Sequence, residues 1–190
     1  TVLFWIVLSV SGSINFILFG FGVVDSFFES MSGITTTGAT VIAGLDDLPK
    51  SLLIYRQLLQ WLGGMGLIVL AIAVMPLLGI GGGQLFKTQT PGPMSEQRLT
   101  PRITSTARAL WSIYFVLTVL CIFAYRLAGM NYFDAVSHAF STVSIGGFST
   151  HDLSIGFFDS LSIEIVCIAF MLLSAMSFAI HYSAIYRKQV

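Results

Sequence analysis

Thr35-Thr36-Thr37-Gly38-Ala39-Thr40 sets three hydroxyl residues directly before a glycine, between a short amphipathic run, Asp25 to Gly33, and a long apolar segment. Threonine and glycine add little to an apolar core. Extended backbone at membrane depth is tolerated where it lines a water-filled path and its carbonyls have something to coordinate. A short stack of carbonyl oxygens can replace the water around a dehydrated cation, so this stretch is a candidate ion filter.

The same pattern occurs twice. With Asp25 set on Asp134, an offset of 134 − 25 = 109, the segment Asp25 to Thr40 lies over Asp134 to Ser149, and Ser32/Ser141, Thr35/Ser144, Gly38/Gly147 and Thr40/Ser149 coincide or are close in kind. At an offset of 174 − 63 = 111, Leu62-Gly63-Gly64-Met65-Gly66-Leu67 meets Leu173-Ser174-Ala175-Met176-Ser177-Phe178, large and small residues falling in the same order. The chain therefore reads as two copies of one unit.

Composition sets the medium. Apolar residues make up 55% of the chain, charged residues 9%, and Phe alone accounts for 16 positions, which points to an integral membrane protein. A formal net charge of zero leaves no basic patch for nucleic acid and no acidic tail. Cys121 and Cys167 lie inside apolar runs without metal or disulfide spacing and read as core packing. The chain opens at Thr1 inside an apolar run, and Val2 to Phe21 lacks the basic start and cleavage site of a signal peptide, so a longer parent chain is expected.

The elements follow in order. Val2 to Phe21 is long enough to cross a hydrocarbon core of about 30 Å. Val23 to Gly33 is too short to cross: about 9 residues from Asp25 at a rise of 1.5 Å give roughly 13 Å, a half-helix whose negative carbonyl end faces the membrane centre and favours a cation there. Thr35 to Thr40 returns toward the surface, and Ala43 to Lys50 is a polar turn. Leu52 to Ile80 is the second span, with Arg56, Gln57 and Gln60 near its outer end; Gly63, Gly64 and Gly66 signal close backbone approach, either packing on a neighbour or a hinge. Gly79 to Gly83 lacks the flanking strand and the Lys-Ser/Thr of a phosphate loop. Leu110 to Ala128 is the third span, Asp134 to Thr142 the second half-helix, Ser144 to Ser149 the second filter strand, and Leu161 to Tyr186 the fourth span. The domain reading is thus a first pore repeat over 1–83, a linker over 84–108 carrying Pro91, Pro93 and Pro101, and a second pore repeat over 109–190.

Lys87, Arg98, Arg102, Arg108, Arg187 and Lys188 lie on the linker side, against Lys50, Arg56 and Arg126 on the other, which makes the linker cytoplasmic and opens both filter loops outward. Asp25, Glu29, Asp46, Asp47, Asp134, Asp152, Asp159 and Glu164 share the filter side, where they concentrate cations at an outer mouth; the alternative is that Asp25 and Asp134 cap helices and Asp46, Asp47 and Asp159 lie in solvated turns. His138, His151 and His181 are expected to make structural hydrogen bonds, with proton coupling through His151 as the alternative.

Span, half-helix, Thr-Thr-Thr-Gly strand, span is the unit of potassium-channel-like pores. The wording Ser32-Gly33-Ile34-Thr35-Thr36-Thr37-Gly38, then Gln60-Trp61-Leu62-Gly63-Gly64-Met65-Gly66, then Ser144-Ile145-Gly146-Gly147-Phe148-Ser149-Thr150-His151-Asp152, resembles the TrkH branch of the Trk/Ktr/HKT potassium transporters across essentially the whole chain. The resemblance implies an all-α membrane protein of tandem helix, half-helix, filter-loop, helix repeats, four of which form one pore in the family; two are present here. It implies potassium uptake across the cytoplasmic (inner) membrane, with Gly38 and Gly147 as filter glycines and K⁺ held by carbonyls of Thr35, Thr36, Thr37 and Gly38 and of Ser144, Ile145, Gly146 and Gly147. It implies no catalytic residue and no cofactor. As partners it implies the remaining pore repeats or a second copy in a homodimer, membrane lipid, and a cytoplasmic nucleotide-binding regulatory subunit, TrkA-like, meeting surfaces such as Gln84 to Arg108. A gating loop in the third unit and a basic residue in the fourth are implied without a position here.

On the residues alone, glycine at positions 38 and 147 permits backbone angles that a side chain opposes. Thr35 and Ser144 could add hydroxyls at the inner end. Ile145 and Gly146 in place of Thr36 and Thr37 make the ring uneven, from which looser selectivity is expected. Two other classes compete. A cation-coupled secondary transporter, sodium or proton linked, also uses broken helices; it would usually bury a carboxylate for coupling. An intramembrane enzyme needs paired catalytic groups, and Glu164 and His181 lie about 25 Å apart along one helix.

Overall fold

The computed structural model describes residues 2–74 and 99–176. All regular structure among them is helical: α1 (Val2–Leu18), α2 (Val23–Ile34), α3 (Lys50–Val74), α4 (Leu99–Leu127), α5 (Tyr132–Ser144) and α6 (Leu161–Ala175), with 3₁₀ turns at Leu45–Asp47 and Ser154–Phe158. Long and short helices alternate in the same order twice. The short ones, α2 with 12 residues and α5 with 13, rise only about 18–20 Å, too little to cross a hydrocarbon core. Within α4, Leu110–Leu127 has a mean hydropathy of 1.8 and is long enough to cross.

Both short helices stop in the same way. In α2 the Thr37 amide donates to the Ser32 carbonyl and the Thr36 amide to the Gly33 carbonyl; in α5 Gly146 donates to Ser141 and Ile145 to Thr142. This reciprocal pair of bonds is a Schellman termination, which needs a left-handed residue at the turn. Thr36 and Ile145 fill that position, each with φ +54°. At the other end of α5, the Asn131 side chain accepts from the Asp134 amide at 2.9 Å, an N-cap that fixes where the helix starts.

The observed bounds adjust the expected ones. α2 and α5 reach one to two residues beyond the predicted half-helices at their carbonyl ends, because the Schellman bonds extend helical geometry to Ile34 and Ser144. Helix α4 begins at Leu99, inside the stretch read as linker; Pro101 is compatible with this because first-turn amides have no intrahelical partner to lose. Helix α6 ends at Ala175, with Met176 extended at ψ 143°. The Gly79 to Gly83 run, most of the linker, His181 and the last part of the fourth span lie outside the described residues.

Polarity is turned inside out. Arg56, Gln57, Gln60 and Glu29 are completely buried, while Leu3, Val10, Ile14, Phe115, Phe123 and Leu172 on α1, α4 and α6 are exposed. Two apolar clusters hold the repeats: Phe16, Ile34, Leu45, Leu52 and Leu59 in the first, and Tyr114, Cys121, Tyr125, Ala135, Ala139 and Ile163 in the second. Both cysteines are free, Cys121 buried and Cys167 half-buried.

Helix α3 joins the clusters through glycine. A β-carbon on Gly63 would stand 1.9 Å from the Ile34 carbonyl oxygen, and one on Gly64 would stand 3.0 Å from Ser144 Cβ and from the Tyr114 hydroxyl. The close approach is packing against the ends of both short helices. On Gly12 of α1 a β-carbon would meet the Ser30 hydroxyl at 2.4 Å, which can rotate away, and the ends of the Ile34 and Leu59 side chains at 3.4 Å. We expect Gly63→Ala to lower stability by about 3 kcal/mol or more and Gly12→Ala by about 1 kcal/mol, since overpacking against backbone cannot relax by a rotamer change. Thermal unfolding in detergent checks this, and equal losses for the two variants would contradict it.

Candidate functional site

The loops that follow the two Schellman turns alternate in backbone hand. Thr36, Gly38, Ile145 and Gly147 have φ of +54°, +77°, +54° and +85°, whereas Thr37 and Gly146 between them are not left-handed. The arrangement repeats at an offset of 145 − 36 = 147 − 38 = 109. Alternating hand rotates successive peptide planes so that neighbouring carbonyls do not point to opposite sides, as they do in a strand. The loops meet at their glycines: a β-carbon on Gly38 would lie 2.1 Å from the Gly146 carbonyl oxygen and 3.4 Å from Gly147 Cα.

The residues expected to bind an ion lie together at this junction. Thr35, Thr37, Ile145 and Gly147 are exposed, and Ile145, at 47% exposure, presents an aliphatic chain to the open side. The Thr35 hydroxyl donates to the Met31 carbonyl at 2.7 Å and lies 2.8 Å from the Thr37 hydroxyl; the Ser144 hydroxyl donates to the Ser141 carbonyl at 3.2 Å. Gly146 is buried, and its carbonyl accepts from Gln60 Nε2 at 2.7 Å.

Each returning strand is tied to its own short helix by an equivalent pair. In the first repeat the Thr40 hydroxyl donates to the Glu29 carboxylate at 2.9 Å and the Val41 amide donates to it at 3.2 Å. In the second, His138 takes the place of Glu29: its Nδ1 lies 2.9 Å from the Asp134 carbonyl and its Nε2 3.0 Å from the Ser149 hydroxyl. A carbonyl can only accept, so Nδ1 carries the proton and Nε2 accepts. Ser149 also accepts from the His151 amide at 3.0 Å.

Arg56 on α3 links the two strands. Its Nη2 lies 2.7 Å from Glu29 Oε1 and donates to Thr40 at 3.0 Å, while Nη1 donates to the Ser149 carbonyl at 3.2 Å. The guanidinium sits 4.4 Å over the Phe148 ring. Glu29 and Asp134, expected among the charges of an outer mouth with a helix cap as the alternative for Asp134, are both buried. Glu29 is neutralised by Arg56, and Asp134 accepts from Thr150 at 2.8 Å and from Asn131 at 2.6 Å. They hold the loops rather than gather cations.

Farther out, a clasp joins the repeats. The Asp152 carboxylate accepts from the amides of Gly44 and Leu45 at 3.1 Å. His151 bonds Asp46 through Nδ1 and Asp134 through Nε2, the latter at 3.3 Å, and stacks on Phe157 with ring centroids 3.5 Å apart.

Arg56 and Gln60 as parts of this site were missed in the sequence, where they read only as polar residues near the end of a span. The available signal was their type: long polar side chains at helical spacing inside an apolar span are costly unless paired or functional. No group of three or more His, Cys, Asp or Glu able to hold a metal occurs among the described residues.

Half-length helices that stop at mid-span and feed loops of alternating hand define a helical membrane protein of the pore-loop type. All 190 residues match the family model for TrkH, a cation transport protein, and the chain belongs to that family. It is 60% identical over 185 residues to the Trk system potassium uptake protein TrkH of Halomonas elongata, covering 96% of this chain and 38% of that protein. To the Trk system potassium uptake protein TrkG of Escherichia coli K12 it is 49% identical, covering 100% of this chain and 40% of that one. The crystal structure of the potassium transporter TrkH from Vibrio parahaemolyticus superposes with a TM-score of 0.84 at 52% identity, covering 98% of this chain and 37% of that one. The chain therefore spans well under half the length of these relatives.

Two outcomes are expected. Arg56→Leu leaves Glu29 buried and unpaired and should cost about 3–5 kcal/mol, part of which Glu29→Gln restores in the double variant; unfolding in detergent reads both. The Asp46 carboxyl is held below its ordinary value of 3.8 by the hydrogen bond from His151. A depressed carboxyl stabilises the fold above its unfolded value and loses that contribution as pH falls through the folded one. The melting temperature of wild type should thus fall more steeply below pH 3.8 than that of Asp46→Asn, which lacks the contribution at every pH.

Proposed function

We propose that this segment is half of a potassium-conducting pore and that its two filter loops line one side of the conduction path. The observation that carries this reading is the duplicated alternation of backbone hand at Thr36/Gly38 and Ile145/Gly147, placed at the carbonyl ends of two half-helices whose loops touch. Thr35 to Gly38 and Ser144, Ile145 and Gly147 supply the ion's oxygens, the Gly146 oxygen of the expected set being held by Gln60 instead, and the helix carbonyl ends add a field that favours a cation. The names of the relatives, potassium uptake proteins, support K⁺ as the transported ion. Nothing in the site calls for catalysis.

A broken-helix carrier coupled to sodium or protons is less well supported. Such a carrier needs a buried carboxylate free to take the coupling ion, whereas Glu29 is bound by Arg56, Thr40 and Val41. The unit boundaries proposed are 1–83 and 109–190, with the residues between them joining the repeats. By the positive-inside rule the junction faces the cytoplasm of a bacterial inner membrane and the filter loops open outward. The remaining repeats, from the rest of a longer chain or from a second copy, complete the ring. A cytoplasmic nucleotide-binding subunit is the proposed regulator.

Rubidium uptake into proteoliposomes holding the full-length transporter tests the reading. Gly38→Ser meets both a left-handed φ and the Gly146 carbonyl, whereas Gly147→Ser meets only the φ, its nearest neighbour atom lying 3.9 Å away. Both should lose uptake, Gly38→Ser by roughly tenfold more, the factor that about 1.4 kcal/mol of added strain gives. Full uptake in both variants would sink the assignment of these loops as the filter.

A further inference from the structure

We infer that Gln60, on the long helix of the first repeat, is a selectivity-determining positioning residue for the filter loop of the second. The inference rests on the potassium-pore reading above. Gln60 is fully buried and makes three hydrogen bonds, all into the second repeat: Nε2 donates to the Gly146 carbonyl at 2.7 Å, and Oε1 accepts from the Phe148 amide at 3.1 Å and from the Ser141 hydroxyl at 2.8 Å. The Phe148 amide can only donate, so the amide orientation is fixed: Oε1 faces Phe148 and Nε2 faces Gly146.

The fit is specific to these two residues. A β-carbon at Gly146 would lie 2.4 Å from Gln60 Cδ, so glycine at 146 is the space in which the glutamine lies. The loop position that matches Gly146 in the first repeat is Thr37, since 146 − 109 = 37, and Thr37 is exposed where Gly146 is buried. The Gly146 oxygen is thus already committed to a donor on a neighbouring helix, while the loop atoms on either side of it face the open side. Gln60 fixes this peptide plane and with it the spacing of the Ile145 and Gly147 oxygens.

That spacing matters because a smaller ion is coordinated only if the oxygens close in on it. A peptide pinned by a 2.7 Å bond to a buried side chain cannot close in; an unpinned one can. Releasing Gly146 should therefore admit sodium more readily relative to rubidium without abolishing flux. The ring's unevenness, expected from sequence to loosen selectivity, is in this view offset by the lock.

The experiment uses the full-length transporter in proteoliposomes and reads the ratio of sodium to rubidium influx. Gln60→Met keeps the length and loses all three bonds; the ratio should rise about fivefold, the factor that a net hydrogen bond's worth of discrimination gives. Leu59→Ala is the structural control: it packs against Gly33 in the first repeat and makes none of the three Gln60 bonds, so it should lower thermal stability and leave the ratio unchanged. An unchanged ratio in folded Gln60→Met overturns the inference, as does an equal rise in Leu59→Ala. Should Gln60→Met not fold, Ser141→Ala, which removes only the hydroxyl on Oε1, must raise the ratio in the same direction by less, and no rise there also overturns it. Wild type that passes no rubidium would instead overturn the potassium reading itself.

Discussion

A helix that stops halfway across a membrane leaves its last carbonyls with no water to bond, and the rest of this structure answers that problem. Each such group costs several kcal/mol in hydrocarbon. The Schellman bonds of Thr36 and Thr37, and of Ile145 and Gly146, satisfy two carbonyls per helix. They require left-handed backbone at a threonine and an isoleucine, which costs on the order of 1–2 kcal/mol for each β-branched residue. The same turn starts the alternation of hand that continues into Gly38 and Gly147. Helix termination and filter geometry are therefore one feature.

Strain of this kind persists only where the surroundings over-determine it. Helix α3 supplies much of that determination, and its spacing explains how. Arg56, Gln60 and Gly64, four residues apart, form one stripe that meets Ser149, Gly146 and Ser144 of the second repeat in turn. Leu59 and Gly63 lie on the stripe facing the first repeat, against Gly33 and Ile34. One helix holds two filter loops, so neither loop's geometry is a property of its own repeat alone.

How far this was legible depended on sequence distance. The doubling, the two short helices and the glycines at turning points were readable because each is local: a glycine where φ is positive, hydroxyls before it, an apolar run too short to cross. The close approach at Gly63 was also readable, since only a missing side chain lets a helix come within reach of the Ile34 carbonyl. What sequence could not give was the partner of a polar side chain. Gln60 and Gly146 are 86 positions apart, and Arg56 and Ser149 are 93, so Arg56, Gln57 and Gln60 read as polar residues near the outer end of a span when they are fully buried. Glu29 reads as a mouth charge for the same reason, its counter-ion lying on another helix.

The two repeats meet one demand with different chemistry. Glu29 to Thr40 and His138 to Ser149 are the same tie, each spanning 11 positions, yet one side chain is an anion and the other an imidazole. The difference is balanced on α3, which places Arg56 beside Glu29. His138 donates through Nδ1 to a carbonyl and accepts through Nε2 from a hydroxyl, so it holds its strand without charge. Both ties are consequently neutral in sum. A net charge fixed this close behind the loops would act on a cation in competition with the helix ends and the carbonyls, through a medium that screens it poorly. Neutral ties leave the attraction to the backbone, where its strength is set by geometry; in the proposed pore, discrimination between cations of equal charge then rests on oxygen spacing.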